Sequence, residues 1–313
     1  MIKLKTAFLF PGQGAQYPGM GKDIYEKYEE ARNIYDKASK ILETDIKKLC
    51  FETSQEELSK TKNTQIAIAV TSLAILEVLK KNKIQADICV GLSLGEYVAL
   101  IYAGILSLED GLKLLKIRGT YMGNLVPNEE FAMAAVIGLD SAKIEEVCEN
   151  IQNNGLFVSI ANYNYSMQTV ISGNRVAVEQ ATINLKELGA KKVIPLNTSG
   201  PFHTKKLEKA KEHYEKELEN IKFNKGNKVV IKNIDGTPYK EGDNIKEILA
   251  KHIISPVRFD KSIKFMKDNG VDTFIEIGPG KALTGFVKKE LKDYNVKCFT
   301  TDSLEELQKI LNT

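Results

Sequence analysis

A chain of 313 residues, 43% of them hydrophobic, can bury one sizeable core or a main domain with a smaller insert, which excludes a disordered or fibrous protein. The formal charge of +3 comes with Lys and Glu alternating along helices and no basic block, so nucleic acid is a poor partner class. Cys50, Cys89, Cys148 and Cys298 stand far apart without CxxC or Cys/His spacing, which argues against both a disulfide framework and a zinc site.

The opening MIKLKTAFLF has one short apolar run that meets Pro11 and Gly12 before a signal-peptide core with its cleavage site could form, so a cytoplasmic protein is expected. Within it, Thr6 to Phe10 reads as a strand ended by the tight loop Pro11-Gly-Gln-Gly14. Lys22 to Leu49 reads as helix. Gln65 to Leu79 is the most apolar long stretch, but Thr71, Ser72 and Glu77 interrupt it and it is too short to cross a bilayer. It reads as a buried helix, and no membrane span is expected. Ala86 to Val90 is a second strand, running without a linker into Gly91-Leu-Ser-Leu-Gly95 and a helix from Leu94 to Ala103. Ser107 with Asp110 three residues on marks the start of a helix from Leu108 to about Asn124.

From about Asn128 to Asn197 the texture shortens: strand 132–138, helix 141–152, strands 156–161 and 168–172, helix 175–188, strand 192–196. The order β-α-β-β-α-β is the split βαβ, ferredoxin-like pattern, at a size suited to a small inserted domain. A helix from Thr204 to Ile221 then lines up Leu207, Ala210, Tyr214, Leu218 and Ile221, and strands follow at 228–234, 272–277 and 296–300. Alternating β and α on both sides of the insert predicts an α/β main domain with a mostly parallel sheet.

Gly91-x-Ser93-x-Gly95 is the strongest chemical signal. A nucleophilic serine needs exposure at a tight turn, glycines remove clashing side chains, and the helix N-terminus offers amide donors to a developing oxyanion. Ser93 could instead simply cap the helix beginning at Leu94; the strand-to-helix junction favours the nucleophile. Serine needs a base, and the chain has three imidazoles. His213 lies in a Lys/Glu-rich helix and reads as a surface residue. His203 lies in a loop after a strand and before a helix, where positioned catalytic side chains occur, and reads as the base. His252 is either a core residue or a support behind the site.

Only four of the 44 basic residues are Arg: Arg32, Arg118, Arg175 and Arg258. Arg118 shares a helix side with Leu115 and Met122, where a guanidinium is costly unless an anion satisfies it. That anion is either a protein carboxylate or a substrate carboxylate gripped by two parallel hydrogen bonds. Gly278-Pro-Gly-Lys281 lacks the spacer and the Ser/Thr of a Walker A loop and reads as a plain strand-to-helix turn.

Taken together, Phe10-Pro-Gly-Gln-Gly-Ala-Gln16, Gly91-Leu-Ser-Leu-Gly-Glu96, Arg118-Gly119, Ala161-Asn-Tyr-Asn164, Gln168-Thr-Val-Ile-Ser-Gly173, Gly200-Pro-Phe-His203, Ser255-Pro-Val-Arg-Phe259 and Glu276-Ile-Gly-Pro-Gly-Lys281 resemble, in order and over nearly the whole chain, the malonyl-CoA:acyl-carrier-protein transacylases of fatty-acid synthesis. The resemblance implies an α/β-hydrolase-like catalytic domain over 1–127 and 199–313, with the ferredoxin-like subdomain at 128–198. It further implies that Ser93 is acylated, His203 is its base, the backbone amides of Gln13 and Leu94 form the oxyanion hole, and Arg118 holds the malonyl carboxylate. Asn162 matches a position near the family's cleft, and Phe202 would narrow the pocket against methylmalonyl.

Two positions depart from the family pattern. Leu92 stands where many members have His. His252 stands where many have Gln, at a position whose backbone carbonyl orients the catalytic histidine. The expected partners are malonyl-CoA and an acidic acyl carrier protein bearing phosphopantetheine, with no further cofactor, no metal and no nucleic acid, for a monomer. The rival readings are a free-standing polyketide acyltransferase, a serine hydrolase or thioesterase, and a non-catalytic carrier-binding module. A hydrolase normally adds an Asp or Glu between nucleophile and base, and no acid in that interval stands out; Asp140, for instance, looks like a helix cap.

Overall fold

The computed structural model describes residues 5–198 and 200–312; the expected domain limits at residues 1, 199 and 313 lie outside the described residues. Among the described residues ten strands form two sheets. They are β1 (Lys5–Phe10), β2 (Ile88–Gly91), β3 (Phe131–Ile137), β4 (Val158–Tyr165), β5 (Gln168–Asn174), β6 (Lys192–Pro195), β7 (Val229–Ile231), β8 (Val257–Arg258), β9 (Val271–Glu276) and β10 (Lys297–Thr300).

The first sheet has the order β10-β9-β1-β2-β7, with every pairing parallel. Parallel strands need helical crossovers that cover both faces, so their residues are buried on both sides: Ala7 to Phe10 and all of β2 are buried. The register pairs Phe10 with Gly91, so the loops leaving β1 and β2 emerge side by side at one edge. Ligands of open α/β sheets bind beyond the carboxyl ends of strands, and this edge is that place.

The apolar helix extends beyond its sequence-predicted limits, over Thr61–Lys81, and Gln65 to Leu76 is buried without interruption. It has the length and hydropathy of a membrane-spanning segment, yet 83% of its most apolar stretch is buried against protein. A helix apolar on all sides is a core helix when other helices surround it. The stretch read as one helix from Lys22 to Leu49 is three: Lys22–Lys27, Glu29–Leu42 and Ile46–Phe51. Tyr28 is extended, Glu43 turns into the left-handed region at φ +48°, and Asp45 caps the amide of Lys48, so each break has a local backbone cause. The helix expected from Thr204 begins with a 3₁₀ turn, Lys205–Leu207, and continues as Glu208–Leu218.

The second sheet has the order β6-β3-β5-β4-β8. Its first four strands are antiparallel, and with the helices Ser141–Asn153 and Arg175–Glu187 they form the ferredoxin-like unit in the chain order read from the sequence. Its fifth strand was not foreseen. β8 arrives from the other part of the chain and pairs parallel with β4, Asn162 opposite Val257, so the small sheet is completed by a segment outside 128–198. Two residues with one polar neighbour carry too little period to be read as a strand.

Candidate active site

Ser93 sits between β2 and the helix Gly95–Tyr102 with φ +55°, a left-handed conformation that a side chain adopts only under constraint. The flanking glycines permit it. A Cβ on Gly91 would lie 1.8 Å from the carbonyl carbon of Gly95, and one on Gly95 would lie 2.2 Å from the Phe10 carbonyl oxygen. The turn is held from outside by Asn233, whose Oδ1 accepts from the Ser93 amide at 2.7 Å and whose Nδ2 donates to the Gly91 carbonyl at 2.7 Å.

Ser93 Oγ lies 2.8 Å from His203 Nε2. The Nδ1–H of His203 donates to the backbone carbonyl of His252 at 2.9 Å, which fixes the tautomer and leaves Nε2 as an acceptor for the serine proton. His203 also has a left-handed backbone, φ +58°, so Ser93 and His203 both occupy strained positions. Burial, with the neighbouring His252 and Arg118, holds the His203 imidazole well below the usual histidine range.

Arg118, on the helix Leu108–Asn124, is 0% exposed. Its Nη2 donates to Ser93 Oγ at 3.0 Å and its Nη1 to Gln65 Oε1 at 2.9 Å, and the guanidinium carbon lies 5.6 Å from the centre of the Tyr97 ring. Among the described residues its Nε has no hydrogen-bond partner and no carboxylate lies within ion-pair distance. Of the two anions considered from sequence, the protein carboxylate is therefore absent among the described residues, and the cation is satisfied only by neutral acceptors.

Beneath the base lies a group that sequence reading did not connect to it. The rings of His203 and His252 stack with centroids 4.9 Å apart, and His252 Nδ1 lies 3.1 Å from Glu96 Oε2. Glu96 and His252 are both inaccessible to solvent. Glu96 Oε1 accepts from Tyr239 at 2.6 Å and from the Asn233 amide at 3.4 Å. Burial raises the Glu96 carboxyl to about 7, and burial together with Arg118 holds His252 well below the usual histidine range.

Ser93, His203, Arg118, Gln13, Leu94, Asn162 and Phe202 all line one cavity of about 410 Å³, a size suited to a small acyl group and its arm. His252 lies behind the wall and contributes its carbonyl. Leu92 also lines the cavity and is half-buried against the sheet core. His213 is outside it, with Nδ1 2.8 Å from the Lys209 carbonyl of its own helix. Gly278 to Lys281 forms a strand-to-helix turn as read, with Glu276 accepting from the Leu283 and Thr284 amides of the following helix. Gln65, Asn164, Asn233 and Glu96 were missed as site residues. Gln65 was legible only as the first residue of the apolar stretch. Asn164, whose buried Oδ1 lacks a partner among the described residues, lay inside one of the motifs without a role.

Over residues 7–306 the chain matches the family model described as the acyl transferase domain. It is 44% identical over 285 residues to the malonyl CoA-acyl carrier protein transacylase of Bacillus subtilis, covering 91% of this chain and 90% of that protein. Among solved structures it resembles the malonyl CoA-acyl carrier protein transacylase of Clostridium perfringens, at TM-score 0.93 and 44% identity over 98% of this chain and 96% of that one. It also resembles a malonyl-transacylase solved in complex with its type II PKS acyl-carrier protein, at TM-score 0.94 and 32% identity, covering 98% and 99% of the two chains.

Proposed function

Because this chain belongs to the acyl transferase domain family, we propose that it moves malonyl groups from malonyl-CoA to an acyl carrier protein through an ester on Ser93. As Ser93 Oγ bonds to the thioester carbonyl carbon, its proton passes to His203 Nε2. Collapse of the tetrahedral adduct breaks the C–S bond, and the departing CoA sulfur takes that proton. In the second half the carrier's phosphopantetheine thiol attacks the serine ester, gives its proton to His203, and Ser93 recovers it. Gln13 and Leu94, which both line the cavity, supply the amide donors for the oxyanion. No cofactor enters these steps.

The observation that carries the reading is the buried Arg118, with no carboxylate of the described residues in ion-pair range and one guanidinium nitrogen on the nucleophile. A cation so placed is completed by an acyl group that bears its own carboxylate. The histidine supports transfer through the same serine: its Nδ1–H meets a backbone carbonyl where serine hydrolases usually present a carboxylate. A second, polar groove of about 890 Å³ shares Gln13, Met133, Leu196 and Thr198 with the acyl cavity and gives room for the rest of a CoA thioester; of its cations Lys60 pairs with Glu57 and Arg175 with Glu130, and Lys62 lines it as well. A fatty-acid carrier is the favoured acceptor; a relative paired with a type II PKS carrier makes a polyketide carrier the second reading, with identical chemistry at Ser93.

The test is intact mass after incubation with malonyl-, methylmalonyl- and acetyl-CoA, with and without holo carrier protein. A malonyl adduct that disappears on adding carrier and is absent from Ser93→Ala is the expected result. An adduct lost to water at the same rate without carrier would return the hydrolase reading.

A further inference from the structure

The catalytic imidazole faces a backbone carbonyl, yet it must become an imidazolium beside the fixed positive charge of Arg118 while buried. A carbonyl dipole orients the ring but offsets little of that charge. The only carboxylate among the described residues tied into this buried group is Glu96, three residues after the nucleophile and turned to the opposite side of the elbow.

We propose that Glu96 is a positioning residue for the base, acting through the stacked ring of His252 to set a negative charge beneath His203 and so stabilise the imidazolium that forms when Ser93 loses its proton. The inference rests on the acyl-transfer reading above and assigns the anionic member that its serine and histidine lack. Glu96 approaches the His252 ring at 3.1 Å, and that ring lies parallel to His203 within 26°. Both members are sealed from water, so the field of the carboxylate is weakly screened. The carboxylate is anchored on its other oxygen by Tyr239 and, through Asn233, to the amide of Ser93 itself, so the hydrogen bonds run to the nucleophile's side, while the side toward the base is ring contact without a hydrogen bond from Glu96 among the described residues.

The groups facing the pair are few. Arg118 favours the ionised carboxylate, and Asp235, paired with Lys232, opposes it; Tyr239 donates to it, and Tyr97 lies within its field. Burial lifts the Glu96 carboxyl to about 7, so its charge switches within the neutral range, while burial and Arg118 favour the uncharged form of the His252 ring that lies between it and His203.

The test compares kcat/KM for Ser93 malonylation in the full-length wild type, Glu96→Gln and His252→Gln between about pH 5.5 and 8.5, where this ratio reports ionisations of the free enzyme. Gln keeps an acceptor for Tyr239, and ionisations of the thioester cancel in the ratio of the two proteins. The expected ratio of wild type to Glu96→Gln is near one at the acid end, rises through about pH 7 and levels at about tenfold or more. His252→Gln lowers the alkaline plateau in the same sense, and the double variant falls no further than the lower single. A ratio that does not change with pH, whatever its size, assigns Glu96 a merely structural part and overturns the proposal. If Glu96→Gln does not fold, a His252→Gln plateau within about twofold of wild type overturns it instead. A wild type that forms no malonyl-serine overturns the acyl-transfer reading as well, so the wild-type adduct separates the two failures.

Discussion

Arg118 Nη2 donates a 3.0 Å hydrogen bond to Ser93 Oγ, so the buried cation touches the nucleophile itself. The serine oxygen accepts from the guanidinium and donates to His203, which spends its single proton in the direction of the base. Ser93, His203 and Arg118 thus form one hydrogen-bonded cluster.

Arg118→Ala is expected to lower kcat/KM for malonyl-CoA by about 100-fold or more while reducing acetyl transfer by about tenfold or less, because acetyl has no carboxylate to lose a partner. Competition between the two thioesters, read by intact mass, measures the shift. Malonyl kinetics unchanged in this variant would refute the clamp.

Asn233→Ala removes the bonds to the Ser93 amide and the Gly91 carbonyl that hold the elbow at positive φ. Two buried backbone groups lose their partner, so equilibrium unfolding in urea should show a loss of about 2 kcal/mol or more, with slower acylation of Ser93. Wild-type stability in the variant would mean that the turn is held by its glycines alone.

Phe202 walls the cavity beside the base and is 7% exposed. Phe202→Ala should raise the methylmalonyl-to-malonyl ratio of kcat/KM by about tenfold, the scale on which a pocket discriminates one methyl group. A ratio that does not move would place the steric limit elsewhere in the lining.

Acid stability depends on three buried groups with opposed signs. His203 and His252 have folded values below the unfolded one, so the unfolded chain binds more protons and stability is lost as pH falls below about 6.5. Glu96 is raised from 4.5 to about 7, so between those limits the folded chain holds a proton that the unfolded chain releases, which offsets one histidine. Urea titrations at a series of pH values between about 5 and 6.5 should therefore give a flatter slope for His252→Gln and a steeper one for Glu96→Gln, each by about one proton. Slopes that move together would contradict these assignments.

Much of the site was legible because its chemistry is written locally. Ser93 announced itself through two glycines at a strand-to-helix junction, and both glycines are required by contacts under 2.5 Å that any Cβ would make. His203 stood out among three histidines by its place in a loop, and Arg118 by being a rare arginine on an apolar helix face. The helix breaks at Tyr28 and Glu43 were not legible, since neither residue is a helix breaker and the turn there is set by packing and the Asp45 cap.

What the chain determined by itself was the order of most of its elements, the βαββαβ insert and the sharp strand-to-helix turn at Ser93, because periodicity, glycine spacing and capping act over a few residues. The tertiary structure alone decided who meets whom across the chain. Asn233 reaches Ser93 over 140 residues, Gln65 reaches Arg118 over 53, and β8 crosses from the main domain to complete the small sheet. Glu96 read as one more acid in a motif until the fold brought His252 between it and the base. Burial gives that contact its force: a carboxylate, two imidazoles and a guanidinium excluded from water interact strongly, and neither exclusion nor distance can be read from residues that lie so far apart along the chain.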